Sequence, residues 1–311
     1  MNNPTDVLLK KPHKKNGKKV SYGRIIAWIM IIIWIVITLF PLLWILRMAF
    51  STQRDLLANP TSLLPVNPTL DAFKRVFGML SLTQIIDQGG FSRKLDFILY
   101  LKNTFLVTTA TVFGGLIFDS LAAYAFARLK FRGRDKIFLI YIGALIMPTV
   151  LNLIPNFIFI HSLGWVGTLQ GIIAPYFFGS AFGVFFLRQF FMGINSELED
   201  AARLDGAGTL GIFWHIIIPI SMPPLLTISI LNFINTWNNF QWPFFAGGMG
   251  TKEDATVLTV ALAAFRAQQQ GTLPDYTGMM AGTFISLIPI LIMFIFLGRR
   301  AVDSIQFSGI K

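Results

Sequence analysis

A short polar segment between two apolar stretches concentrates acidic, small and glycine residues. Ser196 followed by Glu199 fits a capping box, in which the hydroxyl accepts from a backbone N–H and the carboxylate reaches back to the cap. Acidic residues near the first turn are favoured by the helix dipole. Gly206 can adopt a positive φ and end the helix. The pattern therefore predicts a short helix over 197–205.

The two faces of this predicted helix differ in character. Leu198, Ala201 and Ala202 recur at helical spacing and form a small apolar stripe, which the acidic residues border. Such a helix suits docking into a groove on a partner protein. It could equally cover the ends of membrane helices, and the residues alone leave both interpretations open.

A second group of polar residues lies within apolar stretches. Asp119 is an acid inside one of them, and intramembrane acids are functional candidates by default. Three roles stay open for it: a hydrogen bond against a partner, a polar position in a pathway, or a water-reachable residue without consequence. Amides and an indole also gather near the end of a later stretch: Asn232, Asn235, Trp237, Asn238, Asn239 and Gln241. They could line a translocation path, or they could join helices and form an interfacial aromatic belt.

Several chemistries are excluded by what the sequence lacks. It has no Gly-rich phosphate loop ending in Lys-Ser/Thr, no Gly-x-Ser-x-Gly and no His-Glu-x-x-His, so we expect no catalytic residues and no bound cofactor. It contains no cysteine, which excludes thiolate metal sites. The three histidines are far apart and show no ligand spacing, so we expect no metal site.

The elements that must position these residues are membrane spans. Hydrophobic residues make up 54% of the 311-residue chain and charged residues only 13%, whereas soluble proteins average about 25% charged residues. Charge-poor stretches long enough to cross a bilayer predict six helices, with prolines that kink or delay some of them. The predicted spans are 25–46, 103–127, 137–160, 169–187, 214–238 and 276–298. The fold class is thus an all-α polytopic membrane protein.

The distribution of cations predicts the orientation. Of the 26 Lys and Arg residues, 17 fall on the side of the N-terminus, and cytoplasmic loops carry the excess of cations. We therefore expect both termini in the cytoplasm and read the net charge of +11 as a topology signal rather than a nucleic-acid surface. The predicted organisation is a basic tail 1–24, a first span 25–48, an external loop 49–102, a core 103–300 with a cytoplasmic loop 188–213, and a tail 301–311.

The cytoplasmic loop resembles a known motif. ATP-binding-cassette (ABC) importer permeases carry Glu-Ala-Ala, three residues, Gly, nine residues, Ile, any residue, Leu and Pro. Here Asp200, Ala201, Ala202, Gly206, Ile216 and Pro219 occupy matching positions, with Asp200 in place of Glu and Ile218 in place of Leu. Further segments resemble carbohydrate permeases of the maltose-transporter type: 41–44, 121–128, 131–134, 187–191, 236–240 and 306–311.

The resemblance implies a type I importer fold in a bacterial cell membrane, surrounded by lipid. It implies that an ATPase dimer, which binds Mg-ATP, drives transport, and that a second homologous permease and an external solute-binding protein complete the assembly. Within the motif it implies close fit at Ala201 and Ala202, polar contacts from Glu199, Asp200 and Asp205, and a bend at Gly206. The terminal tail from about Gln306 would also reach the ATPases.

Three other functions compete with this one. A secondary transporter or channel usually shows internal repeats and several buried charges, and this chain shows neither. An intramembrane enzyme would need a nucleophile with its base, or metal ligands, within the spans, and the sequence has neither Gly-x-Ser-x-Gly nor His-Glu-x-x-His. An ABC permease for a non-sugar solute remains open, since only the subfamily resemblance favours sugar.

Overall fold

A computed structural model of the chain describes residues 22–87, 96–265 and 274–307. Within these ranges the regular secondary structure is entirely helical, which confirms the predicted all-α class. The helices are α1 Tyr22–Ala49, α2 Gln53–Ala58, α3 Asp71–Val76, α4 Leu82–Asp87, α5 Phe97–Arg128, α6 Arg134–Ile146, α7 Leu153–Ser162, α8 Leu169–Phe177, α9 Ala181–Met192, α10 Glu197–Leu204, α11 Thr209–Ile212, α12 Ile218–Ile220, α13 Met222–Trp237, α14 Gln241–Ala246, α15 Leu258–Ala264 and α16 Tyr276–Phe307.

Four helical segments are individually long and apolar enough to cross a membrane. They are Tyr22–Ala49, Phe97–Arg128, Leu169–Met192 and Tyr276–Gly298. Two bent pairs pass the same test when each pair is counted as one span: Arg134–Ile146 with Thr149–Ser162, and Thr209–Ile220 with Met222–Trp237. These six segments match the six predicted spans.

The two bent pairs lie in the predicted spans 137–160 and 214–238, where prolines were expected to kink or delay regular helix. The first bends by 102° after Pro148, where the short 3-10 helix Thr149–Asn152 intervenes. The second bends by 78° near Ser221, after the π-helical turn Phe213–Ile217. Proline has no N–H to donate to the preceding turn, so Pro148 and Pro219 interrupt the regular helical ladder.

The chain divides into two compact units, Met1–Trp44 and Ile45–Lys311. In the described part of the first unit, α1 exposes apolar side chains all round, as expected of a helix that faces lipid. The predicted tail 1–24 lies outside the described residues up to position 21, and α1 begins at Tyr22. At the other end α16 continues to Phe307, so the predicted tail from 301 is helical as far as the structure describes it.

In the second unit α5 is the central element. It packs along α8, α9 and α13. The main core contains side chains from α5, α9, α13 and the turn at 213–217, among them Tyr124, Leu187, Phe213 and Ile228. Helices that share such a core must carry large apolar residues on one side, and their other sides remain exposed.

The segment 49–102 is more ordered than the predicted loop. It contains α2, α3 and α4, and α5 begins at Phe97 rather than at 103. The Asp96 side chain accepts a hydrogen bond from the Leu99 N–H at 3.0 Å, which caps α5 earlier than the charge-free stretch indicates.

A buried ion pair joins this segment to the start of α16. The Nε atom of Arg75 lies 3.0 Å from Oδ2 of Asp275, and both side chains are almost fully buried. Burial lowers the pKa of the Arg75 guanidinium, against the opposing effect of the Asp275 charge. The pair fixes α3 against the first turn of α16.

Candidate functional site

The predicted polar helix is present as α10, from Glu197 to Leu204. Its cap differs from the predicted capping box, because the Ser196 side chain makes no capping hydrogen bond. The neighbouring Asn195 replaces it: Oδ1 accepts from the Glu197 N–H at 3.1 Å, and Nδ2 donates to Oε2 of Glu197 at 3.0 Å. The capping-box prediction is wrong because Glu199 makes a stronger interaction elsewhere.

Glu199 points into the protein rather than along its own helix. Its carboxylate lies 2.8 Å from Nε of Arg128, the last residue of α5, with side chains 4% and 13% exposed. Arg203 approaches the same carboxylate at 3.7 Å. Arg128 also donates to the Ile194 carbonyl, just before α10. Glu199 therefore fastens α10 to the end of α5, and its side chain is buried there rather than exposed on the outer face of the helix.

The outer face of α10 combines exposed leucines with acids. Leu198 is 47% exposed and Leu204 90%, while Ala201 is exposed between them. Ala202 is partly buried against the main core, so it does not belong to the exposed stripe. We call Leu198, Ala201 and Leu204 the docking face. Asp200 borders it and forms an exposed ion pair with Arg203 at 3.5 Å.

The end of α10 depends on one backbone conformation. Asp205 is the C-terminal cap, and Gly206 follows with φ of 85°. A Cβ added to Gly206 would meet no atom within 4 Å, so the left-handed conformation and not lack of space requires glycine there. Both residues are exposed.

The last two motif residues lie in the irregular region that follows. Ile216 is in the π-helical turn and packs against the main core, whereas Pro219 is exposed near the start of α12. Together they form the irregular connection between α11 and α13.

A cavity of about 150 Å³ lies among α5, α8, α13 and α14. Three of the predicted path residues, Asn232, Asn235 and Asn239, line it together with Thr236. The rings of Tyr176 and Trp242 also line it, and neither was among the predicted path residues. The cavity thus combines amides, a hydroxyl and aromatic surface.

The other predicted path residues lie outside this cavity wall. Trp237 is buried, donates to the Ser286 carbonyl at 3.1 Å and stacks on Phe233. Asn238 donates to its own helix at Ile234, and Gln241 is exposed at the start of α14. Asp119 is fully buried and accepts from the Ser180 N–H at 2.7 Å.

Comparison with known proteins agrees with this geometry. Residues 115–304 match the family described as binding-protein-dependent transport system inner membrane component. The arabinooligosaccharides transport system permease protein AraQ of Halalkalibacterium halodurans is 30% identical, covering 92% of this chain and 97% of that protein. The trehalose/maltose transport system permease protein MalG of Thermococcus litoralis is 29% identical over 93% and 97%, respectively.

A solved structure shares the same fold. A bacterial ABC transporter involved in the import of the acidic polysaccharide alginate contains a chain that aligns with a TM-score of 0.73 and 25% identity. The alignment covers 89% of this chain and 95% of that chain.

The fold and the apolar spans define a multi-pass helical membrane protein. The chain belongs to the family of inner membrane components of binding-protein-dependent transport systems. It is accordingly a transport subunit of the cell membrane and not itself an enzyme.

Proposed function

We propose that this chain is one of two permease subunits of an ATP-driven importer for saccharides, and that α10 couples it to a partner ATPase. The observation that carries the coupling role is the docking face. Leu204 is 90% exposed and Leu198 47%, and Ala201 is exposed between them on a short helix. Clustered apolar side chains of this exposure mark an interaction surface.

The contacts that hold α10 to the core of the protein suit it to transmit force. A helix of eight residues is too short to be stable by itself in water. Here the buried Glu199–Arg128 pair and the packing of Ala202 hold it to the core. The docking face can therefore move with α5 when a partner moves it.

The partners follow from the family and from the site. The ATPase would bind Mg-ATP and receive the docking face with its rim of Asp200 and Asp205, while this chain binds no cofactor. The second permease would complete the pathway, and an external solute-binding protein would deliver the cargo.

Saccharide cargo is supported by the cavity. The residues that line it include amides, hydroxyls and rings but no Arg, Lys, Asp or Glu, which favours uncharged cargo that hydrogen-bonds through hydroxyl groups. Relatives named for arabinooligosaccharides, diacetylchitobiose and trehalose/maltose support the same class.

The docking face is tested with Leu204→Glu in the tagged chain, purified with its partners in mild detergent. A charge on the apolar face should remove the ATPase from the purified complex. Leu63→Glu is the matched control, since Leu63 is a similarly exposed leucine outside α10. Retention of the ATPase by both variants would disprove the docking face.

The cavity is tested with Asn235→Ala against Asn238→Ala. Both asparagines lie at the end of α13, but only Asn235 lines the cavity. Uptake of a neutral oligosaccharide into liposomes should show a raised apparent KM for Asn235→Ala alone. An equal effect of the two variants, or no effect of either, would refute the assignment.

A further inference from the structure

Asp119 is a fully buried acid on α5 with a specific partner in another span. Its Oδ1 accepts the Ser180 backbone N–H at 2.7 Å. An acid at membrane depth is costly, so it is retained where it satisfies a group that would otherwise remain unpaired.

Ser180 lies at a break in the span Leu169–Met192. The helix α8 ends at Phe177 and α9 begins at Ala181, and Gly179 between them has φ of 94°. A break of this kind exposes backbone N–H groups at the start of the second helix. Asp119 accepts the N–H of Ser180, and Oγ of Ser180 accepts the Gly183 N–H at 3.0 Å, so the two residues cap α9 together.

Glycines on both sides allow α5 and this break to lie in close contact. A Cβ on Gly179 would lie 2.2 Å from Oδ1 of Asp119, and one on Gly183 only 1.8 Å from Oδ2. On α5, a Cβ on Gly114 would lie 2.7 Å from the Phe177 carbonyl oxygen. The carboxylate therefore fills a space that is shaped around it.

The same break forms part of the cavity wall. Gly179 and Ser180 line the cavity, and Gly115 lines it from α5. The conformation at 179–180 consequently sets the shape of this side of the cavity.

We propose that Asp119 is a positioning residue for transport, which clamps the α8–α9 break against α5 and so fixes the wall of the cavity. This inference rests on the proposed function of the cavity as part of the path. The residue acts through Gly179 and Ser180, and it does not itself contact the cargo.

The test uses the complete importer reconstituted in liposomes, with neutral oligosaccharide as the transported probe. Asp119→Ala removes the acceptor and should raise the apparent KM for uptake about tenfold, the scale of a lost charged hydrogen bond. Asp119→Asn keeps an oxygen for the Ser180 N–H and should stay within about twofold. Ser120→Ala is the control, because Ser120 is a buried neighbour whose hydroxyl donates within α5, to the Ile117 carbonyl.

A second pair of variants tests the contact itself. Gly183→Ala should displace the carboxylate and raise the apparent KM as Asp119→Ala does. The double variant should be no worse than Asp119→Ala alone, because the added methyl then meets no carboxylate. If Asp119→Ala does not assemble, Asp119→Ser replaces it, since the serine side chain is too short to reach Ser180.

An unchanged apparent KM in Asp119→Ala would overturn the clamp. This holds also if uptake falls, provided that the amount of assembled complex falls by the same factor, since Asp119 would then serve assembly alone. The Asn235→Ala variant separates this failure from that of the proposed function. If Asn235→Ala changes the apparent KM while the Asp119 variants do not, the cavity assignment stands and only the clamp is wrong.

Discussion

Replacing Glu199 with Gln should loosen α10 from α5 while leaving both helices in place. The substitution conserves volume but removes one charge of a pair whose side chains are 4% and 13% exposed. Loss of one partner from a buried ion pair costs about 3–5 kcal/mol, because the remaining charge is left uncompensated. Arg128 keeps its hydrogen bond to the Ile194 carbonyl and some solvent contact, so we expect the lower end, about 3 kcal/mol.

The assay compares cargo taken up with ATP hydrolysed by the reconstituted importer. A cost of about 3 kcal/mol shifts an equilibrium roughly a hundredfold, so the population in which α10 is loosened from α5 should rise by about that factor. Uptake per ATP hydrolysed should therefore fall in Glu199→Gln. Arg203→Gln is the control: Arg203 is half-exposed and lies 3.7 Å from Glu199, so its loss should cost about 1 kcal/mol or less.

A double variant separates the ion pair from general damage to α10. Replacing both members with apolar residues, Arg128→Met with Glu199→Leu, leaves no unpaired charge and should recover part of the thermal stability lost in the single variants. The reasoning is refuted if Glu199→Gln retains both its thermal midpoint and its uptake per ATP. It is also refuted if the double variant is as unstable as the sum of the two single variants.

Three further predictions follow from the backbone and the core. Gly206→Val should disturb the end of α10 and reduce ATPase retention, at a cost of about 1–2 kcal/mol for the left-handed conformation, whereas Gly208→Val should not, because Gly208 is extended and open. Gly114→Ala should lower the thermal midpoint of the complex through its clash with the Phe177 carbonyl, while Gly143→Ala, with open space around it, should leave the midpoint unchanged or raise it. Trp237→Phe retains stacking on Phe233 but loses the hydrogen bond to Ser286, and chemical denaturation should show a loss of about 1 kcal/mol.

The spans could be predicted because hydrophobic length is a local property of the sequence. Asp119 and the prolines could likewise be identified from the sequence, because each is a single residue within an apolar stretch. The bend angles could not be predicted, since a proline shows where the helical ladder is interrupted but not where the following helix packs. The early start of α5 was missed because the cap at Asp96 lies outside the charge-free stretch.

For the polar helix α10, the position could be predicted from the sequence but the contacts of its faces could not. Its position followed from Gly206 and the acidic first turn, and the structure confirms it. Its faces did not follow, because Glu199 fits a capping box locally while a distant cation, Arg128, competes for the same carboxylate. In the sequence Arg128 served as one of the cations that predict topology and as part of the resembling segment 121–128, although a cation in the last turn of a span was also an available partner for an acidic loop. Leu204 was missed because it lies outside the i, i+3, i+4 spacing that joins Leu198, Ala201 and Ala202.

Only part of the predicted amide cluster lines the cavity, because the position of a residue around the helix decides whether its side chain faces that cavity. Asn232, Asn235 and Asn239 recur at three- and four-residue spacing and lie on one side of the end of α13, whereas Trp237 and Asn238 lie between them in sequence and point elsewhere. Applying this spacing to the sequence would have separated the two sets. It would not have identified Tyr176 and Trp242, which reach the cavity from other helices.

The continuity of α5 explains how the two sites can act on one another. Of the four described segments that are individually long enough to cross a membrane, α5 alone contains no proline: α1 contains Pro41, the α8–α9 span contains Pro175 and α16 contains Pro289. A continuous helix of 32 residues keeps its backbone hydrogen bonds throughout, and its Gly114 is covered by Phe177. Its end holds α10 through Arg128, and Asp119 on the same helix holds the cavity wall through Ser180. On the proposed coupling role, a partner that moves α10 would act on the end of α5, and the proline-free helix between Arg128 and Asp119 contains no break between the two contacts.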